Sequence, residues 1–288
     1  MTDDWSSAMD YEQISYERRG LAAIITIERP RRMNAIGART HRELVDAWGR
    51  FRDDDAALVG ILTGAGDRAF SAGGDLKCLE DGEPVAPTSL EEIESHNRGE
   101  ADGILGPSRW TDVHKPTIAA INGVAYAGGL EWACWCHMAV ADEHATFGVT
   151  CRRWNIGLAD GGTQRLPRIV GWRRAMELIV TGRVIDAAEA LEIGLVNEVV
   201  SSGTCLDRAL ELAGQVGALP QPAIRTDLEA AERGWGKPLD EGLRIEAECF
   251  NRLLAEPEIL EGLRRFNERE HPDFRAGEGP ATPGLPRN

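Results

Sequence analysis

The stretch TIAAINGVAYAGGLEWACWCHMAVA, residues 117–141, decides the fold class because it is almost entirely apolar. Its length would allow a membrane-spanning helix. However, Asn122 and Glu131 lie inside it, and a carboxylate without a partner at bilayer depth is costly. The stretch is therefore interpreted as a buried strand at residues 117–121, a glycine-rich turn and a buried helix that begins near Gly129.

The segments on either side alternate between strand and helix patterns. Apolar residues in short runs predict strands, and apolar residues three and four apart predict helices. Strands are predicted at residues 14–18, 22–27, 58–62 and 195–200, and helices at residues 39–52, 174–180 and 187–192. Because such alternation is typical of α/β proteins, the first 200 residues are predicted to form an α/β core.

Beyond residue 203 only helical spacing is found. Four helices are predicted there, at residues 206–216, 223–233, 242–255 and 258–269. The chain is thus divided into a loose tail at 1–11, a core at 12–203, a helical region at 204–275 and a disordered tail at 276–288. Residues 78–113 carry acidic groups without clear periodicity, and we expect them to form a mobile region with some helix that covers a site.

The composition excludes several classes of protein. The 288 residues are 42% hydrophobic and 27% charged, which is ordinary for a globular protein and excludes disorder or a coiled coil as the main architecture. The net charge of −15 argues against nucleic acid or an anionic membrane as a partner. Six cysteines do not make a disulfide scaffold in so long a chain, and the acidic N-terminus lacks a signal-peptide pattern. We therefore expect a reduced, cytoplasmic protein.

Two glycine-rich turns are the strongest functional signal. They are AFSAGGDLK at residues 69–77 and NGVAYAGGLE at residues 122–131, and neither has the spacing of a phosphate loop. Glycine lets a ligand approach the backbone, and free N–H groups can point at an oxygen. If Gly74 and Gly128 each donate to one carbonyl oxygen, the pair forms an oxyanion hole.

Glu131 follows Gly128 by three residues, about one helical turn. A carboxylate there could reach the carbon next to a carbonyl held at Gly128, as proton transfer at that carbon requires. The alternative is an acid that only complements the helix dipole. A charged residue in so apolar a segment favours the catalytic interpretation.

Five motifs in order resemble the crotonase (enoyl-CoA hydratase/isomerase) superfamily over about residues 12–270. They are ERPRRMNA at 28–35, the turns at 69–77 and 121–131, GGTQRLP at 161–167 and AAEALEIGLV at 187–196. The resemblance implies an α/β fold built as a spiral of strand-strand-helix units. It also implies a helical C-terminal trimerisation region, and hence a homotrimer or a hexamer made of two trimers.

The resemblance also assigns site residues. It implies that Gly74 and Gly128 bind the thioester carbonyl and that Glu131 is the first of two catalytic glutamates. The acyl-CoA binding positions that it implies are Arg31, Met33, Ala72, Gly74, Asp75, Leu76, Lys77, Gly128 and Cys151. Arg31 and Lys77 would approach the coenzyme A phosphates, although plain surface charge is the alternative for each.

One position departs from the hydratase pattern. Where hydratases of the family carry their second glutamate, this sequence has Cys151. A neutral thiol cannot hold water and move its proton as a carboxylate does, so a buried inert cysteine is favoured. Asp160 is the candidate substitute in catalysis, although relatives that use an aspartate in this loop align theirs at Ala159. The alternative is that Asp160 caps the helix that begins near Gly162.

Together these features predict an acyl-CoA enzyme that stabilises a thioester enolate. Hydration of a 2-enoyl-CoA, a lyase reaction, is the leading prediction. The alternatives are an enoyl-CoA isomerase that uses one carboxylate and a catalytically impaired acyl-CoA-binding paralogue. No cofactor is expected, since coenzyme A is part of the substrate. No metal site is expected either, because Cys134, Cys136 and His137 would spread around a helix.

Overall fold

The computed structural model describes residues 10–79 and 89–268. A six-stranded sheet runs in the order β1 (Ile14–Arg19), β2 (Ala22–Ile27), β3 (Val59–Gly64), β5 (Thr117–Ile121), β7 (Met138–Asp142) and β10 (Glu198–Val200). A four-stranded sheet runs β4 (Ala69–Ser71), β6 (Val124–Tyr126), β8 (Thr146–Gly148) and β9 (Val184–Asp186). The β1–β2 and β8–β9 pairs are antiparallel, and all other pairs are parallel.

The described ranges contain ten α-helices. They are α1 (Ala38–Asp53), α2 (Leu90–Arg98), α3 (Gly128–Trp135), α4 (Gly162–Val170), α5 (Trp172–Thr181), α6 (Ala187–Glu192), α7 (Cys205–Gly217), α8 (Gln221–Gly234), α9 (Leu239–Leu253) and α10 (Pro257–Asn267). Three 3₁₀ turns occur at Pro30–Arg32, Leu76–Leu79 and Thr150–Trp154.

Successive strands of the chain join the two sheets alternately. In the successive pairs β3–β4, β5–β6 and β7–β8, the first strand joins the six-stranded sheet and the second joins the four-stranded sheet. A helix follows each pair before the next strand of the large sheet. This repeated strand-strand-helix path confirms the predicted α/β spiral.

The predicted elements agree with the structure except in the short strands and in β7, which was not predicted. The strands β4, β6, β8 and β9 have three residues each, too few to show a period-two pattern in the sequence. Residues 117–141 accordingly contain β6 and β7 besides the predicted strand and helix. Within the described ranges, no helix is long and apolar enough to cross a membrane.

Some predicted regions lie partly outside the described residues. Of residues 78–113, the structure contains α2 but not 80–88, and the tail predicted at 276–288 also lies outside. Of the strand predicted at 195–200, only Glu198–Val200 form a strand in the structure, which is β10. Leu195 and Val196 are nevertheless buried, which explains the apolar pattern that predicted a longer strand.

The large sheet is covered on both faces. Ile24, Ile61 and Ile118 on one face pack with Ala209 and Ala213 of α7. Their neighbours in sequence point to the opposite face, as the alternation of a strand requires, and join the main core. Helix α3 is buried along its whole length within that core. The site that α3 carries is therefore held in a rigid frame.

Asp142, at the end of β7, fixes the start of α7. Its carboxylate is buried and accepts hydrogen bonds from the backbone N–H groups of Gly203 (2.9 Å), Thr204 (3.1 Å) and Cys205 (3.0 Å). The first N–H groups of a helix have no partner within the helix. Asp142 thus satisfies the donors at the predicted boundary near residue 203 and ties α7 to the sheet.

We predict that Asp142→Asn lowers the free energy of unfolding by about 2 kcal/mol, because an amide leaves at least one buried N–H without an acceptor. Urea unfolding followed by circular dichroism measures the change. Asp207→Asn, at an exposed position in the first turn of α7, is the matched control and should change stability by less than about 0.5 kcal/mol. Equal stability of the two variants would contradict the role given to Asp142.

Candidate active site

The two glycine turns meet because the strands that precede them are paired. β4 lies parallel to β6, with Ser71 opposite Ala125, and each turn follows its strand. A Cβ atom added to Gly73 would lie 2.6 Å from the Gly128 nitrogen. Gly73 has a φ of +87°, so both the backbone conformation and the close approach require glycine.

The N–H groups of Gly74 and Gly128 are available to a ligand. Within the described residues, neither donates a hydrogen bond. Gly128 is the first residue of α3 and follows Ala127, whose φ of +50° makes a sharp turn out of β6. The structure therefore brings two free donors together at the N-terminus of a helix, where negative charge is favoured.

Ser71 stabilises the contact between the two glycine turns. Its hydroxyl donates to the carbonyl of Asn34 (2.8 Å) and accepts from the Gly73 N–H (3.1 Å). The Ser71 carbonyl also lies 2.0 Å from where a Cβ of Gly129 would stand. Ser71 is thus engaged in holding the two turns together.

The residues predicted to bind acyl-CoA form a connected segment. The Ala72 N–H donates to the Met33 carbonyl (2.9 Å). Arg31, Leu76 and Lys77 are exposed beside it. Their side chains are open to a ligand, and the segment that carries them leads to Gly74.

Unlike these exposed side chains, the Asp75 carboxylate forms ion pairs within the protein. It is buried and accepts hydrogen bonds from Arg29 (2.7 Å) and Arg32 (3.5 Å). Burial acts to raise the pKa of Asp75, but the hydrogen bond and charge of Arg29 outweigh it, so the pKa is lowered. The ionised side chain fixes the loop after Gly74, and a ligand can meet only the backbone of Asp75.

Glu131 lies on the first turn of α3, and only 2% of its surface is exposed. Its Oε1 atom accepts hydrogen bonds from the N–H groups of Asp160 (2.9 Å) and Gly162 (2.8 Å). The Ala159 N–H also faces the carboxylate, but within the described residues no hydrogen bond to Oε2 is formed. One oxygen thus positions the carboxylate, and the other is available to a substrate or a water molecule.

Burial is the main reason that the pKa of Glu131 is raised, to about 7. The negative charge of Asp160 raises it further, and the backbone N–H groups that face the carboxylate oppose the rise. A carboxyl group with this pKa can both accept and return a proton near neutral pH.

Cys151 lies in the 3₁₀ turn after β8 and is buried in the core. Burial raises the pKa of its thiol, and the nearby charge of Glu131 raises it further, although Arg152 opposes the shift. The thiol is therefore neutral near pH 7. This position supplies no second charged group beside Glu131.

The interpretation of Asp160 as a helix cap is wrong. Gly161 occupies the N-cap position of α4 with a φ of +100°, and no side chain caps the helix. Asp160 lies one residue before the N-cap, and its side chain is bound elsewhere. Its Oδ1 atom accepts hydrogen bonds from the N–H groups of Ile104 (2.9 Å) and Leu105 (3.0 Å) and from the Ser108 hydroxyl.

Leu105 is a site residue that the sequence did not reveal. Its Cδ1 atom lies 1.9 Å from where a Cβ of Gly128 would stand, and its Cδ2 atom lies 3.5 Å from the corresponding position on Gly74. Leu105 lies in an irregular segment without periodicity. No pattern in the sequence could place it beside the two glycines.

The two cysteines and the histidine near the end of α3 are buried in the core or hydrogen-bonded within the protein. Burial raises the pKa of both Cys134 and Cys136. His137 bonds through Nε2 to Glu232 (2.9 Å) and accepts the N–H of Thr117 at Nδ1 (3.1 Å). Over residues 10–79 and 89–268, no group of three or more His, Cys, Asp or Glu side chains could hold a metal ion.

We predict that Glu131→Gln stabilises the protein increasingly as the pH rises from 5 to 8. Because the folded-state pKa is raised from 4.5 to about 7, the wild type loses about 2 to 3 kcal/mol between pH 5 and pH 7, where the unfolded carboxyl group is ionised and the buried one still holds its proton. Glutamine stays neutral and can still accept both N–H groups. Urea unfolding at several pH values measures the difference.

The exposed Glu192→Gln variant is the control, and its stability relative to wild type should not change over this range. A Glu131→Gln advantage that is the same at pH 5 and pH 8 would show that Glu131 is not a buried group of raised pKa.

Comparisons with known proteins agree with this geometry. The family model for enoyl-CoA hydratase/isomerase matches residues 17–277. The chain is 36% identical over 269 residues to a crotonyl-CoA hydratase of Syntrophomonas wolfei, covering 92% of this chain and 99% of the relative. It is 34% identical over 264 residues to a short-chain-enoyl-CoA hydratase of Clostridium acetobutylicum, covering 91% and 97%.

A solved structure gives the same result. The crystal structure of enoyl-CoA hydratase from Mycobacterium tuberculosis superposes with a TM-score of 0.79 at 33% identity, covering 90% of this chain and 97% of the other. The resemblance found in the sequence motifs is confirmed by matches over most of the chain. The chain belongs to the enoyl-CoA hydratase/isomerase family.

Proposed function

We propose that the protein is an enoyl-CoA hydratase, a lyase that adds water to the double bond of a 2-enoyl-CoA thioester. The observation that carries this proposal is the position of Glu131: one carboxylate oxygen is fixed by backbone donors, and the other is free one helical turn beyond two free N–H groups. The names of the relatives, crotonyl-CoA hydratase and short-chain-enoyl-CoA hydratase, support the same reaction.

The two glycine donors stabilise the charge that develops in this reaction. When an oxygen nucleophile attacks the β-carbon, the electrons of the double bond move toward the thioester and place negative charge on its carbonyl oxygen. The N–H groups of Gly74 and Gly128 would both donate to that oxygen. Donors already fixed in place lower the barrier most, since they do not reorganise during the reaction.

Glu131 alone can accept and return the proton that moves in this reaction. As water attacks the β-carbon, one of its protons passes to the free oxygen of Glu131. The hydroxyl group stays on the β-carbon, and an enolate forms. Glu131 then returns the proton to the α-carbon, which restores the thioester carbonyl. The reaction balances without a cofactor, and coenzyme A belongs to the substrate.

The neutral thiol of Cys151 favours isomerisation as a second candidate function. A single carboxylate can remove a proton from the α-carbon of a 3-enoyl-CoA and return it to the γ-carbon without water. An impaired protein that only binds acyl-CoA is the third candidate. In the hydratase and in the isomerase, Gly74 and Gly128 would stabilise the same enolate and Glu131 would protonate it.

Other features support the remaining predictions. The exposed cations Arg31 and Lys77 suit the phosphates of coenzyme A. A homotrimer or a dimer of trimers is supported by exposed apolar side chains on α9, at its C-cap and on α10, namely Leu239, Leu243, Phe250, Leu254, Leu260, Leu263 and Phe266. The cytoplasmic location stays a prediction.

Ultraviolet absorbance of the conjugated thioester tests the proposed function. We expect absorbance to fall when the protein is mixed with a 2-enoyl-CoA. A rise with a 3-enoyl-CoA and no change with the 2-enoyl-CoA would instead identify an isomerase, and no change with either would identify a binder. Turnover should decrease below about pH 7 as Glu131 becomes protonated.

The variant Glu131→Gln should lower turnover by about 10²-fold or more while acyl-CoA binding persists. Glu192→Gln, exposed on α6, is the matched control and should behave as wild type. Full activity of Glu131→Gln would leave the proposed reaction without its base.

We further predict that Gly73→Ala lowers turnover by about 10²-fold or more, since its methyl group would press against the Gly128 N–H and remove one donor from the hole. Gly194→Ala is the control, because Gly194 also has a positive φ (+76°) but nothing within 4 Å of the added Cβ. Both positions have a φ in the left-handed region, where alanine is strained, so strain alone should affect both variants and only Gly73→Ala should lose activity. Equal losses would mean that strain alone is responsible.

A further inference from the structure

A cavity of about 960 Å³ lies between the core and the end of α8. It is bounded by the segment 109–113, the end of α3, one face of α4 and the residues around the end of α8. Gly74, Gly128 and Glu131 do not line it. Its volume is at the upper end of the range found for small-molecule sites. We call it the arginine cavity, because four arginines line it, namely Arg109, Arg165, Arg168 and Arg233.

Three of these four arginines have no acidic partner within the described residues. Arg233 forms two ion pairs, with glutamates of α8 and α9. In contrast, Arg109 donates only to the His96 carbonyl (3.0 Å), and Arg168 donates to the Gln164 carbonyl (2.6 Å) and its side-chain oxygen. With Arg165, three unpaired positive charges meet in one cavity of a protein whose net charge is −15.

The acidic side chain that lines the arginine cavity in the described part of the chain is Glu232. One of its oxygens bonds to His114 (2.8 Å) and the other to His137 (2.9 Å). The Thr117 N–H donates to Nδ1 of His137, so this histidine carries its proton on Nε2 and donates it to Glu232. Because both oxygens of Glu232 are engaged by histidines, the carboxylate forms no ion pair with the arginines.

Arg165 has the most unusual environment of the three unpaired arginines. Burial lowers the pKa of its guanidinium, and nearby groups such as Glu131 and Glu232 oppose the shift only in part. Both of its hydrogen bonds come from Nη1, to the carbonyls of Ser108 (2.7 Å) and Asp160 (3.0 Å). Nε and Nη2 bond to nothing within the described residues and stay accessible. Since a buried cation normally has an anionic partner, this free edge of the guanidinium favours an anionic ligand.

Aromatic side chains form another part of the arginine cavity. Trp110, Trp135 and Trp235 line it. Trp235 is 51% exposed, and the Arg168 guanidinium lies 5.8 Å from the centroid of its ring. An indole face favours contact with another flat ring, and guanidinium groups favour paired oxygens. The combination suits a flat molecule that carries negative charge.

We propose that the arginine cavity is a second binding site, separate from the acyl-CoA site, for a small aromatic molecule that carries two or more carboxylate or phosphate groups. The anionic groups bind Arg109, Arg165 and Arg168, and the ring lies against Trp235. Carboxylates and phosphates both present paired oxygens to a guanidinium, which is the chemistry that this site recognises. The proposal does not depend on hydratase activity, because none of the residues assigned to acyl-CoA lines this cavity.

The test is isothermal titration calorimetry in the presence of saturating coenzyme A, which occupies the acyl-CoA site. The three probes are benzenetricarboxylate, adenosine diphosphate and inorganic pyrophosphate, of which the last has anionic groups but no ring. We expect at least one ring-bearing probe to bind once per chain and about tenfold more tightly than pyrophosphate. The tighter of the two ring-bearing probes shows whether the site prefers carboxylates or phosphates.

Variants locate the binding site. Arg109→Gln and Arg168→Gln should each weaken binding of the ring-bearing probe by about tenfold. Trp235→Ala should weaken that binding by about tenfold and leave pyrophosphate almost unchanged. Arg165 is left in place, because it also holds two backbone carbonyls. Arg173→Gln is the matched control and should bind as wild type, since Arg173 is exposed on α5, has no ion pair in the described ranges and does not line the cavity.

Three results would overturn the proposal. The first is that no probe binds, which is also the result expected if a second copy of the chain fills the cavity. The second is equal weakening in Arg168→Gln and Arg173→Gln, which would indicate binding to surface charge. The third is binding of the ring-bearing probe only when coenzyme A is absent, which would make the cavity part of the acyl-CoA site. Absence of hydration by the wild type would count against the proposed function alone, since binding is measured without turnover.

Discussion

Strands β4 and β6 run side by side in parallel, and each ends where a glycine turn begins. This pairing brings together residues that are more than fifty positions apart in the chain. Gly73 approaches Gly128 so closely that a Cβ on Gly73 would lie 2.6 Å from the Gly128 nitrogen, and a Cβ on Gly128 would meet the Leu105 side chain. The pairing of β4 with β6 fixes the positions of the two free N–H groups, the start of α3 and Glu131. A shift of one strand relative to the other would separate the donors and abolish the hole.

Placing a carboxylate in the core costs free energy, and the protein offsets that cost with backbone donors. The N–H groups of Asp160 and Gly162 fix one oxygen of Glu131 at the start of α4. Gly162 must be small, because an added Cβ would lie 2.7 Å from the Glu131 side chain. The desolvation that raises the pKa of Glu131 is thus part of the same packing that orients it. Burial and basicity cannot be separated at this position.

The sequence allowed much of the fold and the centre of the site to be predicted, for identifiable reasons. The long strands carry runs of apolar and β-branched residues, and Glu131 is conspicuous as a charge in an apolar segment. The three-residue strands left no periodic pattern. For Asp160 the sequence left a catalytic role and a helix cap open, because it does not show that Gly161 takes the N-cap position of α4. Leu105 was missed because its hydrogen-bond partners, Trp132 and Asp160, are 27 and 55 positions away in the chain.

The double attachment of Asp160 has an evolutionary consequence. Its backbone N–H holds Glu131, and its carboxylate holds Ile104, Leu105 and Ser108. A substitution at this position therefore alters two features at once, the anchoring of that loop and the charge that raises the pKa of Glu131. A substitution of Ser108 removes one hydrogen bond to Asp160 and leaves that charge in place. Residue 160 is thus pleiotropic, whereas Ser108 can vary while the base keeps its chemistry.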